Sequence, residues 1–218
     1  MEEEKLIRIA SQLRKPEGED GIKTGESMNQ GNKFMNLQTI DIVNPSANDR
    51  ILEVGMGNGW FVREILERLP TIHYTGFDYS PLMVQEAKRI NAEWIERQRA
   101  EFVLGDVSSL PFPDHSFNKI FTVNTIYFWK NNAGVLKEFR RILKTGGLLI
   151  IAIRPKHQMK NYPFTKYGFT MYSNPELKEM LIANGFGVRK FQENYEPDYE
   201  FNGSVIKMEN LIVEAYPL

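Results

Sequence analysis

Three observations predict an α/β protein built on an open, doubly wound, mostly parallel sheet. From Arg50 onward strand and helix signals alternate, the pattern of a sheet with helices on both faces. Leu148 to Ile153 is apolar throughout, which suits a strand covered on both sides. A glycine-rich turn, Gly55 to Gly59, follows the first strand, at the strand end where such sheets present their ligands.

The elements follow in order. Leu6, Ile9, Ala10 and Leu13 share one helical face, and Lys15-Pro16-Glu17-Gly18 breaks that helix. A second helix is expected from about Asn29 to Val43, stopping before Pro45. Residues 1–49 are thus expected as an N-terminal helical cap laid against a core of residues 50–218. Ile51 to Val54 is the first strand, and after the glycine turn a helix runs from Trp60 to Leu69 and stops at Pro70. His73 to Phe77 is the second strand, after which Ser80 supplies an N-cap and Pro81 the first helical position. Met83, Ala87, Ile90 and Trp94 carry that helix onward as one buried stripe. Glu101 to Leu104 and Phe117 to Val123 are the third and fourth strands. A helix from Val135 to Leu143 is expected to close at Gly146-Gly147, ahead of the strand Leu148 to Ile153. Asn174-Pro175 begins a helix that ends at Gly185, and two strands finish the chain, near Val188 to Gln192 and Glu209 to Ala215. Seven strands are expected in all.

Composition limits the chemistry. The 218 residues suffice for one substantial core but are short for two. The 27 Lys and Arg balance 28 Asp and Glu, which offers no general attraction for nucleic acid or an anionic membrane. There is no cysteine, so a disulfide framework, a thiolate zinc site, an iron–sulfur cluster and a cysteine nucleophile are excluded. His73, His115 and His157 are scattered without ligand spacing, and no metal site is expected. The acidic opening Met1-Glu2-Glu3-Glu4 does not read as a signal peptide, and no apolar run approaches the roughly 20 residues of a membrane helix. A cytoplasmic protein is expected.

Three features fall at predicted carboxyl ends of strands. The first is Glu53-Val54-Gly55-Met56-Gly57-Asn58-Gly59, whose glycines let the backbone turn sharply and approach a ligand. The second is Asp78, a carboxylate suited to accept both hydroxyl hydrogens of a ribose. The third is Gly105-Asp106-Val107, where Asp106 either accepts from an adenine amine or simply caps the turn that follows. All three converge on one crevice and together fit an adenosine. The dinucleotide fingerprint G-x-G-x-x-G requires a glycine three positions after its second, and from Gly57 that position is Trp60. A bulky tryptophan there is a poor neighbour for a pyrophosphate. Glu53 would repel phosphate but orient, directly or through water, the positive amino group of an amino-acid-bearing cofactor. Charge therefore favours S-adenosylmethionine over NAD, with an NAD-dependent oxidoreductase as the alternative.

At these residues the sequence resembles the class I S-adenosylmethionine-dependent methyltransferases, in particular the small-molecule group called methyltransferase type 11. The resemblance runs through Ile51 to Gly59, Gly76-Phe77-Asp78-Tyr79-Ser80 with Met83, and Gly105-Asp106-Val107. It continues through Leu110-Pro111-Phe112-Pro113-Asp114, Ser116 to Ile120 and Leu143-Lys144-Thr145-Gly146-Gly147. It implies a Rossmann-like sheet that ends in an antiparallel strand. It also implies that the Gly55 to Gly59 loop, Met56 and Gly57 included, lies along the methionine part, that Asp78 holds the ribose, and that Asp106 and Val107 frame the adenine. Tyr79 and Met83 go with this cofactor set. Asn118 departs from the aspartate common in the family, a structural difference at the mouth of a strand.

After the fourth strand, Asn124 with Tyr127, Phe128 and Trp129 falls where the family places residues near the transferring methyl. The Asn-Pro-Pro-Tyr motif of base and amide methylation is not there, which disfavours those acceptors. Asn124 either contacts cofactor or substrate or makes a turn, and the three rings either line a pocket or pack in the core. The segment Lys156 to Ser173, with Tyr162, Phe164, Tyr167, Phe169 and Tyr172, is expected to build a substrate cover or to pack over the sheet. Met28, Asn29, Asn32 and Met35 are candidates to close over the cofactor. Glu196, Asp198 and Glu200 read as a solvated acidic loop or a seat for a cationic substrate. Tyr127, His115 and His157 are the candidate bases, and no spacing singles one out. The expected function is methyl transfer from S-adenosylmethionine, with S-adenosylhomocysteine as product, to a small molecule. A non-catalytic S-adenosylmethionine-binding module is the other alternative.

Overall fold

A computed structural model describes residues 1–201 and 204–218, without the side chains of 199–204 and 206. Three helices come first, α1 (Glu2–Arg14), α2 (Gly18–Gly31) and α3 (Lys33–Val43). Then follow β1 (Arg50–Val54), α4 (Val62–Leu66), β2 (His73–Asp78), α5 (Pro81–Ile90), α6 (Ala92–Glu96), β3 (Ala100–Leu104) and β4 (Phe117–Val123). The second half holds α7 (Asn132–Ile142), β5 (Leu143–Ile153), α8 (Lys156–Met159), α9 (Asn174–Ala183), β6 (Phe186–Tyr195), the short pair β7 (Tyr199–Phe201) and β8 (Ser204–Ile206), and β9 (Glu209–Pro217).

Seven strands form one sheet in the order β3-β2-β1-β4-β5-β9-β6. β1 to β5 pair in parallel, and β9 is inserted antiparallel between β5 and β6. The expected Rossmann-like sheet with a chain-terminal antiparallel strand is therefore present. Strand order reverses between β1 and β4, which opens a crevice at their carboxyl ends.

The strands bury both faces. Leu52, Leu149, Ile151, Leu211 and Val213 pack toward α7 and α9. Their neighbours Ile51, Ile150 and Ile212 pack toward α3, α4 and α5. This alternation explains why β5 is apolar throughout from Leu148 to Ile153, where helices cover both faces. Met35, Ile40 and Val43 of α3 are fully buried in the second cluster, so α3 belongs to the helical layer of the sheet.

The structure differs from the sequence pattern in four places. α2 fills residues 19–28, for which no element was expected, and ends at Gly31 inside the helix expected from Asn29 to Val43; four of its 14 residues are glycine, which in a helix interior costs about 1 kcal/mol each relative to alanine. Close packing explains the two interior ones, Gly21 and Gly25. A Cβ on Gly21 would lie 2.6 Å from Leu82 Cδ2, and one on Gly25 would lie 3.3 Å from the Met83 side chain. The helix expected to reach Trp94 breaks at Asn91, whose side-chain amide donates to the carbonyls of Gly59 and Ala87. Gly146 and Gly147 do not cap a helix. α7 turns directly into β5 at Leu143, and the two glycines lie in an irregular stretch of that strand. The segment after β5 gains α8 and a turn of 3-10 helix, Pro163–Lys166.

Candidate functional site

The crevice at the strand ends holds a cavity of about 250 Å³. Gly55 leaves β1 with φ +76°, and its N–H donates to the Phe77 carbonyl at 2.7 Å. A Cβ on Gly55 would meet Thr125 Cγ2 at 2.0 Å, so this position requires glycine. Gly57, at φ +58°, lines the cavity with open space where a Cβ would stand. Its N–H donates to Asp78 Oδ2 at 2.9 Å, and the Ser80 N–H donates to Asp78 Oδ1 at 2.8 Å. The Asp78 carboxylate is thus aimed by two backbone donors from the strand ends. Burial pushes it up to about 6, against the lowering effect of those amides.

Glu53 lines the same cavity and accepts from the Tyr74 hydroxyl at 2.5 Å. Burial raises its carboxyl to about 7, with the Tyr74 hydrogen bond opposing and the Asp78 charge adding. Asp106 accepts from the Ser108 N–H at 2.9 Å, a bond that lowers its pKa, so it caps its turn and also faces the cavity. Met56, Tyr79, Met83, Val107 and Asn124 line the cavity as well.

Gly59 stands outside this lining. At φ +68° it packs against Ala87, 3.0 Å from its would-be Cβ, and so serves the approach of α5 rather than a ligand. Trp60 is 59% exposed and also outside, so it does not crowd the cavity as its bulk suggested. The structure adds residues that carried no local signal. Leu13, Pro16 and Gly25 of the N-terminal segment cover the cavity, and the Ser80 hydroxyl donates to the Pro16 carbonyl at 2.7 Å. Of the four residues expected to close over it, Met28, Asn29 and Asn32 do line it, whereas Met35 is core.

A second cavity of about 820 Å³ adjoins the first. Leu13, Met28, Asn32, Asn124 and Phe128 line both. Its walls are α1 and α2 on one side and Phe128, Tyr162, Phe164 and Phe169 on the other. Phe128 and Phe169 meet edge to face at 4.7 Å, and Phe164 lies 5.7 Å from Phe169. Tyr167 and Tyr172 are turned elsewhere, toward Glu3 and Asn132. Trp129 packs edge-on against Phe139 and touches only the first cavity.

Asn124 sits at the junction in the left-handed region, φ +57°. Its side-chain amide donates to Asn32 Oδ1 at 3.0 Å, and its Oδ1 accepts from the Tyr127 hydroxyl at 3.0 Å and the Arg154 N–H at 3.2 Å. The Tyr127 hydroxyl itself accepts from the Arg154 N–H at 2.6 Å. Burial pushes this phenol above its usual range. Tyr127 is therefore held between the Asn124 amide and the Arg154 backbone. The other two candidate bases lie away from both cavities. His115 precedes β4, at the amino ends of the strands and so away from the crevice, with Nδ1 2.9 Å from the Leu143 carbonyl. His157 is on the surface, with Nε2 2.8 Å from Glu209 Oε2.

The acidic run does not behave as one loop. Glu196 is buried and grips Arg154 through two contacts of 2.5 and 3.0 Å, while Arg154 also donates to the carbonyls of Gly31 and Glu209. Asp198 is exposed, and the Glu200 side chain lies outside the described residues. Asn118 accepts from the Arg50 N–H and Lys144 Nζ, a structural role at the far end of the sheet.

Residues 52–151 match the family model Methyltransf_11, a methyltransferase domain. The chain is 29% identical over 132 residues to the uncharacterized methyltransferase YdaC of Bacillus subtilis, covering 61% of this chain and 71% of that protein. It is 31% identical over 150 residues to a demethylmenaquinone methyltransferase of Roseiflexus castenholzii, covering 67% and 59% respectively. Among solved structures, a chain of the Haloferax volcanii complex between the Trm112 methyltransferase activator and a methyltransferase superposes with TM-score 0.77. That match covers 88% of this chain and 93% of the other at 19% identity, a likeness of fold.

Proposed function

The chain belongs to the class I S-adenosylmethionine-dependent methyltransferases, and on that premise we propose that it methylates a small, largely apolar molecule seated in the second cavity. The observation that carries this reading is the junction. A crevice at the strand ends that carries the carboxylates of Glu53, Asp78 and Asp106 meets an aromatic chamber through five uncharged residues, Leu13, Met28, Asn32, Asn124 and Phe128. The first cavity fits the cofactor: Gly57 leaves open space where a side chain would stand, and Asp78 is fixed by two backbone amides toward that space.

When bound, S-adenosylmethionine supplies a methyl group on a positively charged sulfur. In our assignment Asp78 accepts from the ribose hydroxyls, Glu53 faces the amino group, and Gly55, Met56 and Gly57 lie along the methionine chain. Asp106 and Val107 frame the adenine, with Tyr79 and Met83 beside it. Asn124 and Asn32 set the boundary between the two cavities, and Tyr127 fixes the Asn124 amide. α1 and α2 act in this reading as a cap that excludes water, which lets the chain hold nucleophile and methyl in line. Among the described residues at the junction no titratable side chain is free to take a proton. The acceptor then brings a nucleophile that needs no protein base, such as an activated carbon, a phenolate or a neutral amine. With no cysteine in the chain, no thiolate relays the methyl.

Calorimetry with S-adenosylmethionine, S-adenosylhomocysteine and NADH tests the cofactor assignment. Binding of the first two and not the third is expected, and NADH binding without a response to S-adenosylhomocysteine refutes it. Transfer of labelled methyl to a low-molecular-mass fraction of cell extract tests the acceptor. Label found only on macromolecules overturns the small-molecule reading, and no transfer at all favours a binding module.

A further inference from the structure

The charged residues around the second cavity are not spread evenly. Those shared with the cofactor cavity are all neutral, whereas Lys5, Arg8, Asp20 and Lys23 lie together on α1 and α2. Arg8 and Asp20 pair with each other. Lys5 and Lys23 are exposed and, among the described residues, neither takes part in an ion pair. The remaining cation in the lining, Arg154, is consumed by Glu196 and two carbonyls. That bond also withdraws Glu196, the buried one of the two described members of the acidic run, from any cationic guest. The chamber therefore pairs an aromatic wall with two ammonium groups on α1 and α2 that make no ion pair among the described residues.

From this arrangement we infer that the methyl acceptor is an amphiphile: a flat apolar body against Phe128, Phe164 and Phe169, and an anionic group held by Lys5 and Lys23. The inference rests on the second cavity being the acceptor's. Lysine suits this place, because a compact ammonium on a flexible stem follows a carboxylate, sulfonate or phosphate without fixing its orientation.

Two fluorescent probes separate charge from apolar contact: the anionic 1-anilinonaphthalene-8-sulfonate and the neutral N-phenyl-1-naphthylamine. Each is titrated into the full chain saturated with S-adenosylhomocysteine. The sulfonate is expected to bind one per chain, about fivefold more tightly than the neutral probe, with the preference shrinking at high ionic strength. K5Q/K23Q should abolish the preference and leave the neutral probe's affinity unchanged. F169A should weaken both. Equal affinities in the parent chain, or a preference that survives K5Q/K23Q, overturn the inference. Binding of S-adenosylhomocysteine, read separately by calorimetry, stays intact in that outcome and fails only if the cofactor assignment itself is wrong.

Discussion

The cofactor crevice and the aromatic chamber share five residues but are built by different means. The crevice is made at the ends of β1, β2, β3 and β4, where pairing in the sheet fixes the backbone. Its key carboxylate is oriented by main-chain amides from Gly57 and Ser80. The chamber is made of side chains from α1, α2 and the segment after β5, and its shape depends on rings and on how two helices lie over them. In the assignment proposed above, strand ends hold the constant reactant and appended segments the variable one, so the acceptor can change without disturbing the methyl donor. Arg154 and Asn124 join the two regions, since both bond to the α2–α3 connection around Gly31 and Asn32.

The largest expected effect tests that join. Arg154→Met leaves Glu196 buried without its partner, at a cost of about 3–5 kcal/mol. For a chain of this size that corresponds to a fall of roughly 6–20 °C in Tm by thermal melting. The double variant with Glu196→Met should recover much of it, and an unchanged melt for the single variant means the clamp does not hold the regions together.

Next comes the crevice alone. Asp78→Ala should lower the affinity for S-adenosylhomocysteine by about tenfold or more, because two charge-assisted hydrogen bonds go. Probe binding in the chamber should stay as it was. A folded variant with full cofactor affinity would refute the ribose assignment.

The third effect is on pH. Burial holds Glu53 near 7, so at pH 6 most of these carboxyls carry a proton that must leave when an ammonium group binds beside them. Affinity for S-adenosylhomocysteine should therefore rise about tenfold between about pH 6 and 8, with proton release visible as buffer-dependent heat. Glu53→Gln should flatten the profile. Stability runs the other way. The folded state binds this proton more tightly than the unfolded chain, so Glu53 contributes stability at low pH that is lost as pH rises from about 4.5 through about 7.

The smallest effect sharpens the chamber. Phe169→Ala removes the edge-to-face contact with Phe128 and should weaken a neutral aromatic probe roughly threefold, with cofactor affinity unaltered. Loss of cofactor affinity in this variant would mean the two cavities are mechanically one.

The crevice was legible because its requirements are local. A left-handed backbone at Gly55 and Gly57 demands glycine, and a carboxylate that closes a strand must sit at Asp78, so each leaves a mark at a fixed position. Gly59 misled because the same residue type also serves close packing, here against Ala87. Trp60 misled because chain position does not say which way a side chain points. Glu196 read as one of three solvated carboxylates, and only folding revealed Arg154 across 42 residues of sequence.

Sequence alone determined the sheet, its doubly wound order, the strand-end loops and hence the class of cofactor. These follow from periodicity, turn residues and motif spacing, all of which act over a few residues. Tertiary structure alone decided that a glycine-rich stretch forms α2, that α1 and α2 roof a chamber walled by Phe128, Phe164 and Phe169, and that Lys5 and Lys23 both line it. The physical reason is range. Those features depend on contacts between segments far apart in the chain, and the close approach that makes a helix of Gly21 and Gly25 comes from Leu82 and Met83, not from their neighbours in sequence.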